Sequence, residues 1–216
     1  MGSILVLSMV LSAHAFKNGY IFLGLLIALA TGAICGLASG ILIAYAGVFP
    51  FIATYGVENI ALGVALILTD GNYVYDFPLA FRMMFNSEIF GIPIIALISF
   101  AIFIVIYIVE ARTALGTKIH ALGYNFEATH LSGINSRGIV ASIYAINGVL
   151  AAITGMMYMA RLNAADPNIS AQFTMDSLAA TLIGGTVFGG GKGSVSQTLI
   201  GTLVVVFIQN GMNVMG

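Results

Sequence analysis

Tryptophan is absent from this chain, and cysteine occurs once, as Cys35. A lone thiol cannot close a disulfide within the chain or supply the paired thiolates of a structural zinc site. Among small apolar neighbours it reads as a helix-packing residue. Without tryptophan, Tyr and Phe have to supply any anchors at a membrane surface. Charge is scarce as well: Asp, Glu, Lys and Arg make up 7% of the residues, against about a quarter in an ordinary soluble domain. The net charge is −1 and no basic stripe runs along the chain, which excludes a nucleic-acid binder that tracks phosphates. Signatures of chemistry are missing too. The run Gly184–Ser194 fails as a phosphate loop: Thr186 stands where the first glycine is needed, and Gly193 follows Lys192 where Ser or Thr is needed. His120 and His130 are ten residues apart, with no Cys or carboxylate cluster at ligand spacing, so no metal site is expected. With no nucleophile–base pair either, the sequence predicts no catalytic residue, no cofactor and no enzyme activity.

What is present is apolar. Hydrophobic residues make up 60% of 216 positions, more than a soluble fold of that size can hide. The chain therefore reads as an all-α polytopic transmembrane helical bundle. Hydropathy divides it into about six to seven hydrophobic segments, at 3–16, 20–46, 51–69, 92–109, 138–160, 177–188 and 195–215. A full span needs about 20 residues, so the first and sixth are short or broken. The first lacks a positive leader and reads as a structural helix with His14 as an interior residue. Pro50 and Pro93 sit at helix starts, where a missing N–H is tolerated. In the second segment Gly24, Ala28, Gly32, Gly36, Gly40 and Ala44 recur every four residues. This period draws one stripe of tiny side chains along a helix, and such stripes serve close helix packing in lipid.

Topology follows from charge. The loop 110–137 carries Arg112, Lys118 and Arg137 against Glu110 and Glu127, and is net positive, hence cytoplasmic. Loops 70–91 and 161–176 are acidic and face outward. Their Tyr73, Tyr75, Phe77, Phe81, Phe85 and Phe173 read as a protein-contact or headgroup surface. Within the cytoplasmic loop, Gly116, Gly123 and Gly133 allow tight bends. Asn125–Leu131 can form a short helix with Asn125 as its N-cap, exposing Phe126, Glu127, His130 and Leu131. Such a helix can seat in a groove on a partner. Glu58, beside Asn59 in the third segment, is costly in lipid. The pair is a candidate contact on a translocation path.

The pattern Thr113, Gly116, Ala121, Gly123, Asn125, Glu127, Ala128, Ser132, Gly133, Ile134 resembles the permease subunits of bacterial ABC importers for monosaccharides, the ribose-transporter-like permeases. So does the later run of Leu178–Ala179–Ala180, Gly184–Gly185–Thr186 and the turn Gly190–Ser194. The resemblance implies a single permease domain over 1–216, with 110–137 as a cytoplasmic coupling loop. Gly123, Asn125, Phe126, Glu127, Ala128, His130, Leu131, Ser132 and Gly133 would couple to the ATPase. It further implies cytoplasmic ABC ATPase subunits, a periplasmic sugar-binding protein and a second permease subunit, homo- or heterodimeric, as partners in the bacterial inner membrane. Leu62 and Gln197 depart from the family pattern, which usually has Arg and Gly there. Compared with family members the chain is expected to be truncated at both ends. Two other readings stay open: a secondary transporter with Glu58 as an ion or proton site, and a non-transporting truncated remnant.

Overall fold

The computed structural model describes residues 1–187 and 190–215. All seven hydrophobic segments become helices. In chain order the elements are α1 (Gly2–Lys17), α2 (Ile21–Ala44), α3 (Pro50–Thr69), β1 (Val74–Tyr75), α4 (Leu79–Asn86), β2 (Glu88–Ile89), β3 (Ile92–Pro93), α5 (Ile94–Arg112), α6 (Ala114–Tyr124), α7 (Phe126–Leu131), α8 (Ser136–Leu162), β4 (Ala164–Ala165), α9 (Ser170–Ile183) and α10 (Val195–Met215). Among the described residues, five helices are long and apolar enough to cross a membrane: α2, α3, α5, α8 and α10. That is slightly fewer than the six to seven segments expected. The shortfall is α1 and α9, with 16 and 14 residues; at 1.5 Å per residue these reach roughly 21–24 Å, short of the ~30 Å apolar layer. The sixth segment starts earlier than hydropathy suggests, at Ser170, and its last position, residue 188, lies outside the described residues.

The chain forms two compact units: Met1–Leu97 with Arg137–Phe173, and Ile98–Ser136 with Thr174–Gly216. The core of the first is α1, whose apolar side chains point all round and are buried all round, as such a helix must be. Val6, Met9, Ala13 and Phe16 are fully inaccessible. Ser8 and Ser12 are buried with them and donate back to the carbonyls of Ile4 and Ser8, at 2.8 and 2.7 Å. These bonds satisfy the hydroxyls without a partner helix. His14 is exposed rather than interior, because it lies on the last turn of α1, beside the exposed Lys17–Tyr20 corner.

Against this core runs the α2–α8 seam. The buried residues of α2 are Gly24, Ala28, Gly32, Gly36, Ser39, Gly40 and Ala44. Gly32 stands against Gly148 and Ala152, Gly36 against Tyr144 and Ala145, and Gly40 against Ala141. Gly24 makes room for the Phe16 ring instead. A Cβ on Gly40 would sit 2.8 Å from Ala141 Cα, inside carbon contact distance, so the two backbones meet only because these side chains are missing.

Loops 70–91 and 161–176 are more ordered than their composition suggests. Phe77, Phe81 and Phe85 are buried, not exposed. α4 puts Phe81 and Phe85 on one face, and Phe81 stacks on Phe16 at 4.1 Å between centroids. Asn163 Oδ1 accepts from the Phe77 N–H at 3.3 Å, and Asn86 donates to the Ala160 carbonyl at 2.8 Å. Together with the antiparallel β1–β4 pair, Val74 opposite Ala165, they tie loop 70–91 to the end of α8 and to loop 161–176. Tyr73 and Tyr75 stay exposed. Tyr73 lies beside the buried Asp166, whose negative charge holds its phenol above the usual tyrosine range, with a hydrogen bond adding to the effect.

In the second unit the helices bury little of themselves. α5 buries none of its described residues and α10 only Gly201. Gly184 and Gly201 let α9 and α10 approach at the backbone level, Gly201 facing Ala180. Gln209 donates to Asp176 at 2.8 Å between the same two helices.

Candidate functional site

The polar loop between α5 and α8 is two helices, not one. Thr113 breaks the chain after α5. Its Oγ1 donates to the Val109 carbonyl at 2.6 Å and accepts from Gly116 N at 3.4 Å, closing one helix and capping α6. Gly116 and Gly123 are helical residues of α6 rather than bends. They are glycines for proximity: Gly116 lies against the Glu110 backbone, and a Cβ on Gly123 would sit 2.8 Å from Gly191 N. Gly133, with φ +81°, is a true bend.

Asn125 separates α6 from α7 in an extended conformation, φ −156°. Its Oδ1 accepts from Ala128 N at 3.0 Å, the N-cap bond expected from the sequence. Thr129 and Ser132 donate to the Asn125 and Ala128 carbonyls at 2.7 and 2.8 Å. Glu127 in the first turn and His130 in the last suit the helix dipole. Thr129 is the buried residue of α7. Phe126, Glu127, Ala128, His130, Leu131, Ser132 and Gly133 all face solvent, Leu131 at 86% exposure. The Phe126 and His130 rings lie parallel, one turn apart. Of the coupling candidates, Phe126, Glu127, Ala128, His130 and Leu131 lie on one short, exposed helix, Asn125 and Ser132 cap it, Gly133 follows it, and Gly123 belongs to α6.

Glu58 and Asn59 belong to the other compact unit, on α3. Glu58 is half-buried, with its carboxylate against the Met1 amino group. Asn59 is exposed and donates to the Tyr55 carbonyl of its own helix at 2.8 Å. Among the described residues no cluster of His, Cys, Asp and Glu could hold a metal ion.

Sequence reasoning missed Glu110. One of its carboxylate oxygens accepts from the Val195 N–H at 2.9 Å, and the other lies 3.3 Å from His120 Nε2. Nothing local signals these contacts, since Val195 is 85 residues away. The clue available was an acidic residue at the end of an otherwise apolar span.

The family described as "Branched-chain amino acid transport system / permease component" matches residues 1–216. The chain is 34% identical to the D-allose transport system permease protein of Escherichia coli K12, over 99% of this chain and 66% of that protein. It is 34% identical to the ribose import permease protein of Haemophilus influenzae, over 99% of this chain and 68% of that protein. To the fructose import permease protein of Bifidobacterium longum it is 31% identical, over 100% of this chain and 62% of that protein. The chain thus spans about two thirds of the length of these relatives. No solved structure matches it. The five apolar spans and this kinship make it a multi-pass inner-membrane protein. With the match running from the first residue to the last, the chain belongs to the family of permease components of branched-chain amino acid-type transport systems.

Proposed function

We propose that this chain is the membrane-spanning subunit of an ATP-driven importer for a monosaccharide. The observation that carries the reading is α7, a capped six-residue helix between two spans that presents Phe126 and Leu131 to solvent. The ribose, allose and fructose permeases among its relatives support the substrate class. In this reading α7 seats in a groove of a cytoplasmic ABC ATPase, which binds and hydrolyses ATP. A second permease subunit completes the path, and a periplasmic sugar-binding protein delivers the sugar. Glu58 and Asn59 contact the sugar or its water in transit. The chain contributes no catalytic group: it converts ATPase closure into a change of access. That conversion requires the inward- and outward-open states to differ in affinity for the closed ATPase.

The docking contact is testable on Leu131. Burying a leucine stabilises a contact by about 1.5–3 kcal/mol, or roughly ten- to a hundredfold in affinity. Leu131→Asp should therefore reduce co-purification of the ATPase with the tagged chain by about tenfold or more. Undiminished co-purification removes α7 as the docking element.

A further inference from the structure

The docking reading uses α7 but not the contacts that hold α6 beneath it. Glu110 lies in the last turn of α5, just before the Thr113 break. That break turns α6 so that His120 Nε2 comes within 3.3 Å of one Glu110 oxygen. The other oxygen accepts from the N–H of Val195, the first residue of α10, at 2.9 Å. The first-turn N–H groups of a helix have no partner inside the helix, and the helix dipole favours an anion there. One carboxylate of α5 thus contacts both α6 and α10. The Glu110 side chain is 19% exposed, while His120 is open to solvent on its other side at 41%.

A second observation fixes the same pair of elements independently. Gly123, near the far end of α6, packs backbone to backbone on Gly191, four residues ahead of Val195. The α6 helix is therefore held to the entry of α10 in two ways, from His120 by way of the Glu110 carboxylate and from Gly123 directly. α10 is in turn joined to α9, through Gly201 on Ala180 and through Gln209 on Asp176.

We infer that Glu110 is a positioning residue for transport, whose carboxylate ties α6 to the first turn of α10 so that displacement of the α6–α7 loop is delivered to α10. This rests on the proposed docking of an ATPase on α7. A push on α7 reaches α6 through Asn125, the single residue between them. Without the Glu110 link, only the packing of Gly123 on Gly191 holds α6 to the entry of α10, and α6 can pivot there and absorb part of the displacement. With it, α10 has to follow, and α9 with it.

The test uses the full chain reconstituted in proteoliposomes with its ATPase and binding protein. Uptake of labelled D-ribose, D-allose or D-fructose, whichever the wild type imports, is measured beside ATP hydrolysis in the same vesicles. Glu110→Ala should keep ATPase co-purification, because α7 is untouched, and keep hydrolysis within about twofold, while sugar moved per ATP falls about fivefold or more. His120→Ala should lower the same ratio, and the double variant should fall no further than Glu110→Ala, since both remove one linkage. Glu110→Gln keeps an acceptor for Val195 N–H and should recover part of the ratio. Where Glu110→Ala does not accumulate in the membrane, His120→Ala carries the test, because it leaves the α10 cap in place. A ratio within about twofold of wild type in the variants overturns the inference, as does a proportional fall of uptake and hydrolysis together, which marks a structural role only. A wild-type chain that recruits no ATPase overturns the proposed function itself, and that result is read before any variant is made.

Discussion

Replacing Gly40 by alanine is the sharpest test of how the first unit is held together. The new Cβ would lie 2.8 Å from Ala141 Cα, 3.0 Å from the Ala141 carbonyl oxygen and 3.1 Å from Tyr144 Cβ. Carbon atoms rest about 3.5–4.0 Å apart, so α2 and α8 have to part locally by nearly 1 Å, a gap that forfeits a quarter to a half of each dispersion contact. Some 20 atom pairs at roughly 0.1–0.2 kcal/mol each would then lose about 0.5–2 kcal/mol. Strain in the neighbours that cannot move adds about 1–3 kcal/mol. Alanine's better helix propensity returns about 1 kcal/mol, leaving a net loss of about 0.5–4 kcal/mol. Gly56→Ala and Gly63→Ala on α3 are the internal controls. A Cβ at either meets nothing within 4 Å, so only the propensity gain applies and stability should be unchanged or rise by up to about 1 kcal/mol. The opposite signs cancel errors common to all three variants. Reversible unfolding in mixed micelles, followed by far-ultraviolet circular dichroism, reads the difference. Gly40→Ala as stable as Gly56→Ala would refute close backbone approach as the basis of the α2–α8 seam.

Three further outcomes are expected. Asn125→Ala removes the cap of α7 and about 1 kcal/mol with it; amide exchange over 126–131 should quicken about fivefold, and an unchanged rate would show that the Oδ1–Ala128 bond holds nothing. Asp166→Asn removes the negative charge that opposes ionisation of Tyr73, so the phenol should titrate lower, toward about 10; a fluorotyrosine resonance that follows pH identically in both proteins would contradict this. Glu58→Gln removes a charge proposed to face the path, and a charged hydrogen bond is worth about 1.5–3 kcal/mol, so sugar uptake should fall tenfold or more; undiminished uptake assigns Glu58 to packing.

Hydropathy and period were enough to read the spans and one interface. Seven apolar segments became α1, α2, α3, α5, α8, α9 and α10, because in lipid the backbone has to satisfy itself within each helix. The Asn125 cap was legible because it is made within three residues. Other features escaped for a common reason. Gly116 and Gly123 looked like bends, since the conformational freedom of glycine is visible in a sequence and a neighbouring backbone is not. Both stay helical and are small because Glu110 and Gly191 lie against them. Phe77, Phe81 and Phe85 looked exposed because acidic residues surround them. Phe81 stacks on Phe16, more than 60 residues earlier in the chain, and Phe77 and Phe85 pack edge-on against Phe81. The strands β1 and β4 have two residues each and pair across about 90 positions, which leaves no local pattern to detect.

The same contrast bears on how such a subunit can move. In the first unit, contact is spread along α2 and α8 through successive glycines and alanines, and the buried serines of α1 are satisfied by their own helix. Losing one such contact loosens a seam that many others still close. In the second unit, helices that bury almost nothing are joined, among the described residues, at separate points: Gly123 on Gly191, Glu110 on Val195 and His120, Gly184 on Gln197, Gly201 on Ala180, and Gln209 on Asp176. Helices joined at points can turn about them, while helices joined along a seam shift only as one piece. Conformational change is thus cheaper in the second unit, and it is there that the chain carries α7, the helix through which a partner would drive it.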